Sequence, residues 1–495
     1  MDDSRPASPA SPLAEDPVVA ARRAKIAPLR DGGVAYPNDV FRTHHAEQLK
    51  QKFGDVPAER LGELGTVAIV AGRLMEKRRD GADGTCILAD NSGTVQVLVS
   101  EDISGRTGVA LFEGCDVGDI VSARGTLQKL PSGEIIVRGH ELQLLAKSLR
   151  PLPQAPSASP QERYSSRYVD LVVNPGSRRI FEIRYRLIQA IRAFFRGTGY
   201  MEVETPLLHA APAAGEDRQC RTQHNALDRQ LYLRASPGLN LRKLVVGGMD
   251  KVYEINRSFV GGAAAVSGNP EATSMEVCVS FSNHLYMAAL VERVLGYAVG
   301  VAFGGATPDD EGLAPGFGKP FARVGMTDAL RRHGNAAWSD AELRDAAFLC
   351  ARLAEAGAPA AADEPWGLLQ SRLFDAVAAR HLVEPTFVTD IPADGGPPVL
   401  CTAQDPAIAE RHLFFVGGAL VGHGASELND PEEFVRRWRG PVPPDPDYIR
   451  ALEYGMPPSS GASLDIDLLL AKLTGQASVR DVILFPHAGP AAAGG

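Results

Sequence analysis

At 495 residues the chain is long enough for about three domain-sized units and too long for a peptide hormone or a lone adaptor module. Its 51 Lys and Arg against 60 Asp and Glu leave a formal charge of −9, which excludes a histone-like polybasic binder and confines any nucleic-acid contact to a local basic surface. Six cysteines, Cys86, Cys115, Cys220, Cys278, Cys350 and Cys401, stand apart with no C-x-x-C pair. That spacing argues against a disulfide scaffold and a zinc ribbon and for a reducing compartment.

Residues 1–18 carry acids where a leader would carry Lys or Arg, so a disordered tail on a cytoplasmic protein is expected. Arg22, Arg23, Lys25 and Arg30 form a basic stretch, read first as a solvated face, ahead of a helix near His45 to Lys52. From Val67 five β-rich runs separated by Gly-containing turns suit a small closed barrel of the oligonucleotide-binding kind, giving a first domain over 19–150. The segment PLPQAPSASP is a linker by composition, and 151–165 is assigned to it.

A second domain, 166–495, opens on a helix expected to be capped by Ser177, with Ile180, Ile183, Leu187, Ile188, Ile191, Phe194 and Phe195 on one stripe. MEVETPLL, QLYLRAS, KVYEINRSFV and TSMEVCVSF read as strands of a mainly antiparallel sheet. The longest apolar run, Val294 to Ala306, is too short and glycine-rich for a membrane span. Helical spacing over about 326–380 suggests an insertion, and β-structure returns at PTFVTD and HLFFVGGALV. A Gly/Ser loop and the amphipathic helix LDIDLLLAKLTG complete the reading, so the fold class is α+β.

The stretches SRYVDLVVNPGSRRIF, GYMEVETPLL, HNALDRQLYLRASPGLNLRKLVVGG, KVYEINRSF, SELNDPEEF, ALEYGMPPSSG and VRDVILFP resemble, in order, the signatures of bacterial class II lysyl-tRNA synthetases. VAGRLMEKR and LPSGEIIVRG extend the resemblance into the barrel. It implies an N-terminal OB-fold that reads an anticodon, a class II antiparallel-sheet domain, and a homodimer formed through the first helix and the strand after it. Possible tRNA is the implied partner, with no membrane and no DNA. ATP and Mg²⁺ are implied only if amino-acid activation is retained.

Activation joins two anions, so the family supplies arginines and magnesium to the phosphates. By the resemblance, the arginine on the α-phosphate falls here on Val260 and the one on the terminal phosphate on Leu468. The adenine-stacking aromatic falls on Ala272, a backbone-approach glycine on Asp465, and a magnesium glutamate on Leu420. The lysine pocket is thinned at Gly238, Asn240, Cys278 and His423, while Glu276 and Glu427 remain as partners for an ammonium or as paired structural acids. Glu427 alone makes a weak metal ligand. Arg218, Arg242 and Arg257 are the residues left to supply charge if a ligase for lysine or another amino acid survives.

In the barrel, Arg73, Gln96 and Glu134 stand where the family meets the central anticodon base, and Lys77, Arg78 and Arg79 are candidates for phosphates. The base-stacking aromatic falls near Thr85. Gly316-Phe317-Gly318-Lys319 and the His423/Glu427 pair are too weak to carry phosphate or metal sites. The sequence therefore predicts a catalytically degenerate synthetase-like protein that works by binding. The alternatives are an active ligase and a structural subunit paired with an active synthetase.

Overall fold

The chain divides after Ala155 into two units. The computed structural model describes residues 16–487 apart from 32–34, 211, 213–218, 260, 262–267, 306–315, 362, 395 and 441–442. Most of the expected tail lies outside these residues, but Pro17 and Val18 already begin helix α1, Pro17–Asp31. This helix buries Val19 and Ile26, and its basic residues are not simply solvated. Arg22 donates to the Ser148 carbonyl at 2.7 Å and Lys25 meets Asp116 at 2.7 Å. Two short helices, α2 (Ala46–Phe53) and α3 (Ala58–Leu64), precede the strands.

Strands β1 (Val67–Asp80), β2 (Asp83–Ala89), β3 (Thr94–Val99), β4 (Ile120–Lys129) and β5 (Ile135–Ala146) close into a barrel in the order β1-β2-β3-β5-β4. Alternate residues such as Val70, Leu74, Leu88, Val97 and Val137 are buried, the period-2 pattern the sequence shows. Helix α4, Glu101–Gly114, which the strand pattern does not reveal, lies between β3 and β4. It seats Phe112 over Gly84, where a Cβ would stand 2.6 Å from the ring.

The second unit starts earlier than the linker assignment allows. Ser159 caps α5, Pro160–Ser165, because its hydroxyl can accept an N–H of the first turn and Pro160 has none to satisfy. Helix α6 (Arg167–Val173) follows, then the long α7, Pro175–Gly197. Asn174, not Ser177, caps α7, accepting the Ser177 N–H at 3.3 Å, since the proline at N1 moves the cap one residue ahead of it. The expected stripe holds: Ile183, Leu187, Ile191 and Phe195 are buried.

Of MEVETPLL, Met201–Glu202 (β6) and Leu208 of β7 (Leu208–His209) are strand residues, in two different sheets, with Pro206 interrupting the run. QLYLRAS supplies β9 (Arg229–Leu233), which joins β7 and β8 (Arg221–His224) in a separate three-stranded sheet. After helix α8, Gly238–Val246, come the long strands β10 (Lys251–Phe259) and β11 (Glu271–Ser280). The remaining strands of the main sheet are β12 (Ala322–Gly325), β13 (Thr386–Thr389), β16 (Arg411–Val416), β17 (Ala419–Ser426) and β18 (Ser459–Asp465). A small pair, β14 (Ile391–Pro392) and β15 (Ile408–Ala409), stands apart.

The eight-stranded order is β12-β13-β16-β17-β18-β11-β10-β6, antiparallel except at its two edge pairs. The residues expected to form a Gly/Ser loop are thus a central strand, β18, between β17 and β11. On one face α7, the helix His284–Ala302 and the helix Ile466–Leu473 bury a core that includes Leu187, Phe195, Met275, Leu295 and Leu470. The helix His284–Ala302 is long and apolar enough to cross a membrane by composition, yet half of it is buried in this core. The opposite face is covered at one end by α8 and the helices Pro431–Arg437 and Pro446–Glu453, around Leu241, Val252, Cys278 and Tyr448. Helices Met326–His333, Ala346–Glu355 and Trp366–Val377 form the insertion, with its own core of Leu330, Leu353 and Phe374.

Candidate functional site

Strand alternation decides which residues line the open part of the main sheet. Glu254, Asn256 and Ser258 of β10 share a face with Ser274 and Glu276 of β11, Ser463 of β18 and His423 of β17, as the register Glu254↔Glu276↔Ser463↔His423 requires. His423 is exposed at the β17 end of this polar row, while Glu254, Asn256 and Glu276 are buried. Asn256 is fixed by the hydroxyls of Ser258 and Ser274, which donate to it at 2.7 and 3.1 Å. Arg257 alternates onto the helix-packed face opposite Thr273, so it does not supply charge to this cleft.

Three carboxylates meet here. Glu254 pairs with Arg234 at 2.7 Å and accepts the Thr205 hydroxyl at 2.8 Å. Glu427, just past β17 and 4% exposed, pairs with Nε of Arg242 at 2.7 Å, a charge contact in which the N–H is not aligned on the oxygen. Burial is the largest single influence and opposes charge on Arg242, but Glu427, with Tyr448 and Cys278 adding to it, holds the guanidinium above its ordinary pKa. Glu276 accepts the Ser236 hydroxyl at 3.0 Å. Burial pushes it up to about 7, against the pull of Ser236 and Arg242 and with the nearby Glu254 charge adding to the rise. Engaged by a guanidinium, Glu427 is a poor metal ligand.

Because the pKa of Glu276 is raised from 4.5, its contribution to stability is complete below about pH 4.5 and is lost as pH rises through about 7. Glu276→Gln stays neutral throughout. Its stability relative to the parent should therefore improve by about 2–3 kcal/mol between roughly pH 5 and pH 8. Denaturant titrations at the two pH values check this, and a constant difference would show that Glu276 is an ordinary carboxylate.

At the end of β18, Asp465 caps the helix Ile466–Leu473, accepting the Leu468 N–H at 2.8 Å. Burial and the neighbouring Asp467 hold Asp465 above the usual carboxylate range, although the Leu468 N–H opposes this. Asp467 is locked in turn, to Arg184 at 2.5 Å and to the Thr273 N–H at 2.7 Å. The Leu468 side chain packs against the main core. Val260 and Arg218 lie outside the described residues, and Leu420 is exposed near the β16–β17 turn. The start of this helix therefore presents a carboxylate at 465 and an apolar side chain at 468, and neither residue is a cation. A cavity of about 340 Å³ lies elsewhere, beside the start of α7. Two of its lining groups, Arg163 and Asp481, face each other at 3.6 Å, so it offers no unmatched charge between them.

The barrel separates its candidates. Lys77 donates to the carbonyls of Glu113 and Cys115, both at 2.9 Å, and stands over the Phe112 ring. Arg79 pairs with Glu113. Both hold the end of α4 rather than face outward as expected, because a bulge between Leu74 and Glu76 reverses the alternation of β1. Arg78, opposite Thr85, is exposed beside Glu76 at 2.9 Å. Gln96 is half-buried on the outer side of β3, Glu134 is exposed, and Arg73 donates to the Gly118 carbonyl at 2.7 Å. Thr85 leaves that face without an aromatic at this position.

Residues 159–489 match the family of class II tRNA synthetases (D, K and N), and residues 68–152 match the OB-fold nucleic acid binding domain. The chain is 39% identical to a lysine–tRNA ligase of Ralstonia nicotianae, over 98% of its own length and 99% of that protein. It is 40% identical, over the same shares, to lysine–tRNA ligases of Burkholderia pseudomallei and Burkholderia mallei.

Proposed function

Because the chain belongs to the class II tRNA synthetases, with near full-length similarity to bacterial lysine–tRNA ligases, we propose that it is a synthetase-like protein that binds tRNA in the cytoplasm and does not carry out ordinary amino-acid activation. The observation that supports this reading is the start of the helix Ile466–Leu473. A helix start favours an anion because its first N–H groups are unpaired and its dipole is positive there. Here Asp465 already takes the Leu468 N–H, and the side chain that the resemblance lays on the terminal phosphate is a leucine turned to the core. An incoming triphosphate meets a carboxylate where it needs a cation.

The second reading, an active ligase, is favoured by the identity running through both units. Direct titrations with ATP and with tRNA, made separately on the full chain, distinguish the two. The binding reading expects tRNA to bind and ATP to bind weakly or not at all; micromolar ATP affinity would overturn it. A homodimer built on α7 and β6 belongs to the same proposal, and a monomer by light scattering would count against it.

The barrel's part follows from which cations face outward. Without a stacking group worth ~1–3 kcal/mol per base, binding rests on phosphate contacts, which weaken steeply with salt and read sequence poorly. Arg78→Ala should lower tRNA affinity and reduce the slope of log K against log salt by about 1. Lys77→Ala should instead loosen the α4 end of the barrel. Anisotropy titrations between roughly 50 and 200 mM salt check this, and an unchanged slope for Arg78→Ala would place the RNA elsewhere.

A further inference from the structure

An ammonium-bearing ligand needs a carboxylate that nothing else neutralises, because a buried charge is tolerated only when paired. Two of the three carboxylates of the cleft are already matched by this chain's own arginines: Glu254 by Arg234 and Glu427 by Arg242, each at 2.7 Å. The surrounding backbone is shaped to admit the second pair. Gly238 and Arg242 stand four residues apart on α8, hence on one helix face. A Cβ at Gly238 would lie 3.0 Å from the Glu276 carboxylate and 3.5 Å from the Arg242 guanidinium. A Cβ at Gly461 would lie 2.7 Å from the Glu427 carboxylate. Side chains at either position would crowd these groups. Glu276, the carboxylate left over, is held by Ser236 and is only partly ionised near neutrality.

We infer that Arg242 is an internal occupant of the cation site of this cleft and sets its specificity, so that the cleft takes an α-amino acid with an uncharged side chain and refuses one that ends in an ammonium. An incoming ammonium must either share Glu427 with the guanidinium, placing two cations on one carboxylate, or expel Arg242 from its partner. An uncharged side chain does neither. On the same face of β11 as Glu276, the Cys278 thiol, which burial pushes up to about 12, stays neutral and adds no charge of its own. The inference rests on reading the cleft as an amino-acid site, and it holds whether or not an adenylate forms there.

The test is calorimetric titration of the full chain, without ATP, with L-lysine and with L-norleucine, which keeps lysine's aliphatic chain length but lacks the terminal amine. The parent protein is expected to bind norleucine at least as tightly as lysine. Arg242→Ala is expected to bind lysine at least tenfold more tightly than the parent, because Glu427 is then left without its partner. The double variant Arg242→Met/Glu427→Gln, which buries no unmatched charge, should show no gain for lysine. A parent protein that prefers lysine over norleucine by tenfold or more overturns the inference, even if the single variant fails to fold. So does the absence of binding of either amino acid in all three proteins. Pyrophosphate exchange supported by an uncharged amino acid would instead sink the binding-only reading and leave the role of Arg242 standing.

Discussion

Lysine-dependent exchange of pyrophosphate into ATP is expected to run at least ~10⁴-fold below that of a lysine–tRNA ligase assayed alongside it. One pre-organised donor to a developing phosphate charge is typically worth ~3–4 kcal/mol, or about 10²–10³ in rate. At position 468 a half-buried leucine packs against the core, and Asp465 adds a negative group to the same helix start. Such effects do not add fully, so the expected loss is set below the product of the separate terms. Leu468→Arg alone should recover less than about tenfold, because Asp465 still caps the helix and repels a phosphate. Exchange within about 10²-fold of the reference ligase would mean that another group carries the phosphate charge, and the binding-only proposal would fail.

The second large effect concerns stability. Arg167 is 1% exposed at the start of α6, and its guanidinium serves several acceptors at once. It meets Asp170 at 2.8 Å and donates to the carbonyls of Leu484, Arg480 and Ile483 at 3.1, 3.1 and 3.3 Å. The rings of Tyr164 and Phe181 lie 5.4 Å away on either count. The arginine thus ties the entry helices of the second unit to residues near its other end. Arg167→Ala would leave Asp170 buried without its cation and three carbonyls short of a donor. A destabilisation of about 3–5 kcal/mol is expected, read from a denaturant transition of the full chain. Arg167→Lys should recover only part of it, since one ammonium cannot reach this fork of acceptors. A loss under about 1 kcal/mol for the alanine variant would show the network to be redundant.

Much of the architecture is legible in the sequence where periodicity is clean. The barrel strands alternate buried and outward residues between Gly-containing turns, and α7 carries its apolar stripe at helical spacing. The family resemblance supplied the order of the rest. What escaped reading has local causes. Residues 459–465 look like a loop because Ser and Gly dominate, yet a central strand beneath the Glu427 carboxylate needs a residue as small as Gly461. In β1, simple alternation from the buried Leu74 would send Glu76 and Arg78 inward; the bulge after Leu74 instead sends Lys77 to α4 and leaves Arg78 outside. Arg257 could have been placed on the helix-packed face by counting from Glu254. By sequence Arg242 is one of three arginines left to supply charge if a ligase survives. Nothing in its spacing tells that Glu427, 185 positions further on, engages it first.

The place of β18 in the sheet also bears on how the protein is made. The barrel unit is complete by Ala155, so it can fold while the rest of the chain is still being synthesised. The main sheet has no such liberty. Its strand between β17 and β11 is the last of the eight in chain order, and until residue 465 has left the ribosome both neighbours expose unpaired edges toward each other. A nascent chain paused anywhere between 427 and 458 therefore carries a slot one strand wide, open to a strand from a neighbouring polypeptide on the same message, and this stretch of synthesis is where a chaperone would have most to protect.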